Sequence, residues 1–258
     1  MIMNRFAEML DLTGKTVIVT GGLSGAGRAI ADAFIESGAN VIITYNTSAE
    51  AAEEVKTKWP GRSLDFMHLD TGSIDSIDGF VKVVSEKGVA IDCLVNNAGI
   101  YPPKDIDEVT PEEWDSMLDV NARGVFFLSQ KIRPLMKKGS IINISSINAA
   151  NPARRLAHYG ASKAAVEMLT RSQAQAYGPD IRVNCIAPGL IYKEGQDEYI
   201  PGWSDSYKER SALGRLVESE EIGKLCLILA SDLTSAVTGQ TITADCGVSL
   251  APYFYNEI

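Results

Sequence analysis

This sequence has few histidines and no closely spaced pair of cysteines. Its 258 residues include two histidines and four cysteines, and no cysteine pair has the CxxC spacing of a zinc site. We therefore expect no metal centre. Three of the cysteines lie in apolar segments, which is typical of reduced core residues in a cytosolic protein and not of disulfides. The four positions are Cys93, Cys185, Cys226 and Cys246.

The chain also lacks long apolar runs and an excess of basic residues. No run approaches the roughly 20 apolar residues that cross a bilayer, and charged residues interrupt the N-terminal segment, so we expect neither a membrane span nor a signal peptide. Lys and Arg number 24 against 33 Asp and Glu, a net charge of −9. Nucleic acids and anionic membrane surfaces both require a cationic footprint. We therefore expect neither partner, and a cytoplasmic location.

Short apolar strands alternate with amphipathic helices along the chain, and no repeat, linker or charge block divides it. This alternation predicts an α/β fold: a doubly wound, Rossmann-type sheet of seven parallel strands with helices on both faces. We expect a single domain spanning residues 1–258. The predicted strands are 15–20, 40–44, 64–69, 92–99 with its terminal turn, 140–145, 181–187 and 241–244. The predicted helices are 49–59 with Ser48 as its cap, 74–86, 110–131 and 159–177, with others beginning near 29 and 219.

The first predicted strand ends in a glycine-rich turn, Gly21-Gly-Leu-Ser-Gly-Ala-Gly27, and a helical pattern follows. A dinucleotide site requires this order, because glycine lets the backbone approach a pyrophosphate and the helix N-terminus offers unpaired N–H groups. The spacing is G-x-x-x-G-x-G and not G-x-G-x-x-G. An ordinary tight turn between strand and helix is therefore the alternative.

The end of the second predicted strand indicates which dinucleotide binds. A carboxylate there would hydrogen-bond the adenosine ribose of NAD and repel the 2′-phosphate of NADP. This chain has Tyr45-Asn-Thr-Ser48 instead, which is neutral and rich in hydrogen-bond donors. We therefore expect NADP, with NAD as the alternative, although neither Ser24 nor Tyr45 supplies an arginine for the 2′-phosphate.

Two further turns follow predicted strands at the same edge of the sheet. Asp70-Thr71 follows the third strand, where Asp70 is a candidate for the adenine amino group; the alternative is a role in starting the next helix with Ser73. The fourth strand ends in Asn96-Asn-Ala-Gly99. In a doubly wound sheet, ligands bind where such strand ends converge.

Tyr159 and Lys163 stand four residues apart in a predicted helix, so they share one face of it. A free phenol ionises near pH ~10, and a nearby positive charge favours the phenolate. We therefore expect Lys163 to lower the pKa of Tyr159, which suits a group that exchanges a proton with a carbonyl or alcohol oxygen. The pair alone also fits an ordinary exposed helix face.

Asn121 lies inside a long predicted helix that begins at the capping box Thr110-Pro-Glu-Glu113. An asparagine is a poor residue for a helix interior. Either it bends the helix and faces a polar cavity, or its side chain is solvated.

Taken together, these motifs resemble the short-chain dehydrogenase/reductase family over about residues 12–247. They are Thr20-Gly-Gly-Leu-Ser-Gly-Ala-Gly27, Asn96-Asn-Ala-Gly99, Asn121, Ser146, Tyr159-x-x-x-Lys163 and Pro188-Gly189. The resemblance implies that Tyr159 is the catalytic acid/base and that Lys163 lowers its pKa and holds the nicotinamide ribose. It also implies that Ser146, not Ser145, orients the substrate oxygen, and that Asn121 anchors a water leading to the lysine.

The resemblance further implies a set of cofactor contacts and a homo-oligomer, a tetramer or dimer packed through the helices around Asn121 and Tyr159. Two positions depart from the family pattern: Lys193 stands where a threonine is usual, and Cys246 stands where a glycine is usual. The implied cofactor contacts are Gly21, Leu23, Ser24, Gly25, Gly27, Tyr45, Asn46, Asp70, Thr71, Asn97, Ala98, Gly99, Tyr159, Lys163, Pro188, Gly189 and Ile191.

We expect an NAD(P)-dependent oxidoreductase that transfers a hydride between the nicotinamide and a small carbonyl or secondary alcohol. The aperiodic segment at about 190–212 mixes aromatic and acidic residues, which favours a polar substrate such as a polyol, sugar or hydroxy-ketone. One alternative is reduction of a 3-oxoacyl thioester on an acyl carrier protein, although a chain of net charge −9 offers no obvious basic patch for an acidic carrier. A non-catalytic dinucleotide-binding module is the other alternative.

Overall fold

The computed structural model describes residues 8–47, 49–192 and 202–250. Within these ranges the chain forms one seven-stranded sheet in the order β3-β2-β1-β4-β5-β6-β7, and every strand pair is parallel. This confirms the predicted doubly wound, Rossmann-type fold. The strands are β1 Thr16–Val19, β2 Asn40–Tyr45, β3 Leu64–His68, β4 Cys93–Asn96, β5 Gly139–Ile144, β6 Ile181–Pro188 and β7 Thr241–Ala244.

Helices connect consecutive strands, and the predicted helices 49–59, 74–86 and 159–177 are present within two residues of their expected bounds. The α-helices of the described ranges are α1 Gly25–Glu36, α2 Ala51–Lys58, α3 Ile74–Glu86, α4 Pro111–Leu118, α5 Gly124–Ile132, α6 Ala157–Tyr177, α7 Trp203–Arg210 and α8 Ser219–Ala230. Among the described residues, no helix has both the length and the apolarity that a bilayer span needs.

The sheet separates two apolar cores, because successive side chains of a strand point to opposite faces. In β1, Val17 and Val19 enter the core beneath α1, α2 and α8, whereas Ile18 enters the core beneath α3 and α5. A strand covered on both faces needs a continuous apolar run. This explains why β1 reads Thr-Val-Ile-Val and does not alternate apolar with polar residues.

The capping box that the sequence predicted is present at the start of α4. The Thr110 hydroxyl accepts from the Glu113 N–H at 3.3 Å, and the Glu113 carboxylate accepts from the Thr110 N–H at 3.0 Å. Pro111 occupies the first turn, where no intrahelical N–H bond is lost.

The predicted helix over 110–131 is interrupted. Between α4 and α5 the backbone makes a π turn over Asp119–Arg123, which contains Asn121. Close packing accompanies this change, since a Cβ on Gly124 would overlap the carbonyl oxygen of Thr71. Such turns are frequent at functional sites.

One helix was not predicted. Residues Trp203–Arg210 form α7 within the segment that the sequence marked as aperiodic, because a mostly polar helix carries no apolar stripe. The prediction that Ser48 caps a helix, and the departure at Lys193, both lie outside the described residues.

The winding direction reverses between β1 and β4. The chain runs outward through β2 and β3, then returns to place β4 against the other side of β1 and continues outward through β5, β6 and β7. The carboxyl ends of β1 and β4 therefore diverge into a crevice, which is where ligands bind in doubly wound sheets.

Candidate active site

The glycine turn after β1 has a backbone that other residues would not adopt. Gly21 and Gly25 have φ of +63° and +52°, in the left-handed region that favours glycine. Gly27 is restricted by space, because an added Cβ would overlap the carbonyl oxygen of Gly21. The turn therefore keeps α1 close to β1 and leaves its own backbone open to a ligand.

The N-terminus of α1 lies at the end of this turn. Ser24 occupies the N-cap position, makes no side-chain capping bond within the described part of the chain, and the first turn carries no acidic residue. The first N–H groups and the positive end of the helix dipole are thus available to an anion. This cradle of backbone donors fits the pyrophosphate of a dinucleotide.

Thr20, at the end of β1, fixes the second predicted turn against the first. Its hydroxyl accepts from the N–H groups of Asn97 and Ala98, each at 2.9 Å. The Asn97 side chain donates in return to the Thr20 carbonyl at 2.9 Å. The structure thus brings Asn97, Ala98 and Gly99 beside the glycine turn. The sequence did not single out Thr20 as a site residue, although its polarity after three apolar residues was a signal.

The ends of β2 and β3 approach the same turn. Thr44 accepts from the N–H of Gly22 through its carbonyl at 3.0 Å and from the N–H of Gly21 through its hydroxyl at 3.4 Å. Tyr45 and Asn46 follow directly, so no carboxylate stands at the end of β2.

The Asp70-Thr71 turn lies beyond β3. The Asp70 carboxylate accepts from the N–H of Gly72 at 2.9 Å, while Ser73 caps α3 by accepting from the N–H of Ser76 at 3.2 Å. Asp70 therefore shapes the turn before α3, and this role is compatible with contact to an adenine.

Ser146 and Tyr159 meet beyond the end of β5. A hydrogen bond with the Ser146 hydroxyl lowers the pKa of the Tyr159 phenol, but burial has the larger effect and raises that pKa above its ordinary value. Ser145 points elsewhere, and its hydroxyl donates to the Lys163 carbonyl at 3.1 Å. Of the two adjacent serines, only Ser146 contacts the phenol.

The prediction that Lys163 lowers the pKa of Tyr159 is wrong for this arrangement. Lys163 is buried, and its Nζ donates to the carbonyl oxygen of Ile144 at 2.8 Å. It lies over the Tyr159 ring, 5.7 Å from the ring centre. Burial lowers the pKa of Lys163 itself to about 8.

Asn121 is fully buried in the π turn, so the alternative of a solvated side chain is wrong. Its amide donates to the Ile100 carbonyl at 2.8 Å and to the Ser162 hydroxyl at 3.1 Å. Its Oδ1 accepts from the Ile100 N–H at 2.9 Å. Asn121 therefore joins the loop after β4 to α6.

Gly99 keeps the space between Asn121 and Lys163 open. An added Cβ at this glycine would lie 3.0 Å from Asn121 Oδ1 and 3.4 Å from Lys163 Nζ. Both polar atoms therefore border a space that a side chain at position 99 would fill.

Tyr101 belongs to the site and was not predicted. Its ring packs edge-on against the Tyr159 ring, with centroids 6.2 Å apart, and its phenol raises the pKa of Tyr159 further. Its side chain is 54% exposed. The sequence could have indicated this role, because Tyr101 follows the Asn96–Gly99 turn by two residues.

Pro188, Gly189 and Ile191 lie at the carboxyl end of β6. The Gly189 N–H donates to the Ala244 carbonyl of β7 at 2.9 Å, and Ile191 forms a bridge to Val217. These residues therefore border the site on the side of β6. No cluster of three or more His, Cys, Asp or Glu with metal-binding geometry occurs among the described residues.

Comparison with known proteins places the chain in a family. A family model described as enoyl-(acyl carrier protein) reductase matches residues 13–249. A 3-oxoacyl-(acyl-carrier-protein) reductase of Chlamydia trachomatis is 35% identical over 92% of this chain and 98% of that protein. The chain belongs to the short-chain dehydrogenase/reductase family. It is therefore an oxidoreductase of a family that binds NAD(P).

Members with sugar-related names are equally similar to this short-chain dehydrogenase/reductase. A probable galactose dehydrogenase of Rhizobium meliloti is 35% identical over 94% of this chain and 98% of that protein. A gluconate 5-dehydrogenase of Burkholderia cenocepacia, solved in complex with NADP and tartrate, superposes with a TM-score of 0.88 at 29% identity, over 96% of this chain and all of that one.

Proposed function

We propose that this enzyme transfers a hydride between NADP and a small polar carbonyl compound or secondary alcohol, such as a hydroxy-ketone, sugar or polyol. The main support for the proposal is that the Ser146 hydroxyl, the Tyr159 phenol and the buried Lys163 lie together beside a crevice with an anion-binding glycine turn. A binding module has no use for a buried lysine next to a phenol.

The reactive groups have distinct tasks in this proposal. Tyr159 donates its proton to the carbonyl oxygen during reduction and takes it back during oxidation. Ser146 donates a hydrogen bond to the same oxygen and stabilises the negative charge that develops there. Because burial raises the pKa of Tyr159, the phenol is protonated at neutral pH and ready to act as an acid.

Lys163 and Asn121 supply the proton route. With a pKa of about 8, Lys163 exchanges protons near neutral pH, which an ordinary lysine does not. Asn121 borders the space that Gly99 leaves beside Lys163, where it anchors a water that leads to the lysine. Lys163 also binds the nicotinamide ribose.

The dinucleotide would supply or accept the hydride. The glycine turn and the N-terminus of α1 would hold its pyrophosphate, and the ends of β2, β3 and β4 would hold its adenosine. The preference for NADP is supported by the neutral residues at the end of β2, since a carboxylate there would repel a 2′-phosphate. The residues proposed to hold it are Gly21, Leu23, Ser24, Gly25, Gly27, Tyr45, Asn46, Asp70, Thr71, Asn97, Ala98, Gly99, Tyr159, Lys163, Pro188, Gly189 and Ile191.

The preference for a polar substrate is supported by the segment at about 190–212, which we propose as the substrate-binding part of a single domain. Its helix α7 is largely polar, with Asp205, Lys208 and Glu209 among its eight residues. The names of the galactose and gluconate dehydrogenases in the family favour the same substrate class.

Reduction of a 3-oxoacyl thioester on a carrier protein is the second candidate. The identity with the Chlamydia reductase favours it, and Arg154 and Arg155 lie exposed just before α6. Both arginines approach Asp105, at 3.9 and 3.8 Å, so this pair is partly neutralised. The net charge of −9 opposes docking of an acidic carrier.

A substrate panel separates the two candidates. Ketoses, polyols and an acetoacetyl thioester are assayed with NADPH and NADP, and with NADH and NAD, by nicotinamide absorbance. The proposal requires the highest kcat/KM on a hydroxylated substrate with the phosphorylated cofactor. Turnover of the thioester alone would establish the second candidate instead.

We also propose that the enzyme is a cytoplasmic homo-oligomer, a tetramer or dimer. Met168 of α6 is 56% exposed, and Trp114 of α4 is exposed as well, which leaves apolar area on the outer face of these helices. Light scattering of the purified protein should give two or four times the mass of the chain. The mass of one chain would contradict this proposal.

A further inference from the structure

The proposed use of NADP leaves open which group neutralises the 2′-phosphate. Arg28 and Lys58 are the basic residues on the facing sides of α1 and α2, and both pair with Asp32, at 3.2 and 2.8 Å. Lys56 of α2 pairs with Glu53 at 3.2 Å. Arg28 and Lys58 therefore share one carboxylate, and Lys56 has a carboxylate of its own.

The end of β3 carries another candidate for this contact, the imidazole of His68. His68 is directly opposite Tyr45 in the parallel register of β2 and β3. The two rings pack edge to face, with centroids 6.2 Å apart and an interplanar angle of 80°. Tyr45 is the residue at which a carboxylate would otherwise select NAD, so His68 stands next to the position that distinguishes the two cofactors.

The side chain of His68 lies on the correct face of the sheet and is accessible. Phe66, two residues earlier, packs into the core beneath α1 and α2, as Tyr45 does. Alternate residues of a strand share a face, so His68 points to this side. Unlike Phe66 it is exposed, because it lies at the end of the edge strand.

The charged and titratable groups around His68 leave room for an anion. On β2 the neighbour is Tyr45, and on the loop after β3 it is Asp70, whose carboxylate is bound by the Gly72 N–H. From α2, Lys56 lies 5.5 Å from the centre of the Phe66 ring, paired with Glu53. Asp65 of β3 points to the opposite face and pairs with Lys87 at 3.1 Å.

We propose that His68 is a specificity-determining residue whose imidazole binds the 2′-phosphate of NADP at the end of β2 and so favours NADP over NAD. A ring N–H of an imidazole can donate a hydrogen bond to a phosphate oxygen. Removing the imidazole should therefore weaken the binding of ligands that carry a 2′-phosphate and leave the binding of ligands without it unchanged. The proposal rests on the proposed preference for NADP.

The test measures binding and needs no turnover. Adenosine 2′,5′-bisphosphate and 5′-AMP carry the adenosine half of each cofactor, and their dissociation constants are measured by calorimetry at neutral pH. The same titrations are made on His68→Leu, which has no hydrogen-bond donor in its side chain. The difference in preference between the two proteins measures what the imidazole contributes.

Wild-type protein should prefer the bisphosphate over 5′-AMP more strongly than His68→Leu, by on the order of fivefold, as expected for one exposed polar pair. The affinity of the two proteins for 5′-AMP, which has no 2′-phosphate, should agree within about twofold. His68→Lys should keep the stronger preference, since its ammonium group also binds phosphate. Lys82→Gln, which removes an exposed charge from α3, should behave as wild type.

Two results would overturn the inference, and they differ in what else they affect. If wild type and His68→Leu show the same preference while the bisphosphate still binds better than 5′-AMP, His68 has no role but the preference for NADP stands. If wild type binds both ligands equally, the preference for NADP fails as well.

Discussion

The Nζ of Lys163 lies 5.7 Å from the centre of the Tyr159 ring and donates its hydrogen bond to the backbone of β5, not to the phenol. The two residues are neighbours on α6, as their four-residue spacing predicted. Burial dominates both: it raises the pKa of Tyr159 and lowers that of Lys163 to about 8. Each group is thereby shifted toward its uncharged form.

The buried lysine should make stability depend on pH in the alkaline range. The pKa of Lys163 falls from 10.5 to about 8 on folding, so between these values the unfolded chain holds a proton that the folded chain has released. The free energy of unfolding should therefore rise with pH across this window relative to Lys163→Met, by up to about 3 kcal/mol. Urea unfolding at a series of pH values measures the difference.

The matched control for this experiment is Lys82→Met, which removes an exposed lysine of α3. It should follow the wild-type pH dependence. A Lys163→Met profile parallel to that of wild type would show that Lys163 is not buried as described.

The pH profile of carbonyl reduction should report the Ser146–Tyr159 hydrogen bond. Reduction needs the protonated phenol, so kcat/KM should fall as the pH rises through the pKa of Tyr159. Because the bond with Ser146 lowers that pKa, Ser146→Ala should move the fall to higher pH and reduce kcat/KM by about 100-fold or more.

Ser145→Ala is the control, since the Ser145 hydroxyl donates to the Lys163 carbonyl and does not contact the phenol. Its profile should keep the wild-type midpoint. If Ser145→Ala shifts the midpoint and Ser146→Ala does not, the assignment of the two serines is reversed.

Gly27 should be required for both stability and cofactor binding. A Cβ there would overlap the Gly21 carbonyl, so Gly27→Ala must push α1 away from β1. We expect a loss of about 1–3 kcal/mol in the free energy of unfolding and weakened binding of NADPH, measured by fluorescence titration.

Gly79→Ala is the comparison for Gly27→Ala, because Gly79 lies in α3 with no atom within 4 Å of an added Cβ. It should stabilise the protein by about 0.5–1 kcal/mol and leave NADPH binding unchanged. Equal effects of the two substitutions would mean that the glycine turn is not closely packed.

Local patterns predicted most of the fold. The bounds of α3 and β7 coincide with the predicted 74–86 and 241–244, because each has clear turn or capping signals at its ends. Helix α7 was missed because it buries little apolar surface and so leaves no periodic pattern. The π turn at Asn121 was also missed, since it depends on packing of Gly124 against Thr71, a residue more than 50 positions away.

For the candidate site, the sequence predicted which residues come together, but not the hydrogen bonds, the burial or the pKa shift of each residue. Spacing predicted that Tyr159 and Lys163 are adjacent, yet the direction of the lysine amine and the degree of burial are set by β5 and by the loop after β4. Tyr101 and His68 were not recognised as site residues, because their positions acquire meaning only when the chain folds: one contacts Tyr159, and the other contacts Tyr45 across a strand pair.

If Tyr159 is the acid/base of a hydride-transfer enzyme, its hydroxyl is required for turnover but not for cofactor binding. Tyr159→Phe removes only the hydroxyl, so the affinity for NADPH, measured by fluorescence titration, should stay close to that of wild type. Turnover of the best substrate from the panel should fall by about 100-fold or more. Turnover equal to that of wild type, with cofactor binding intact, would show that Tyr159 is not the acid/base.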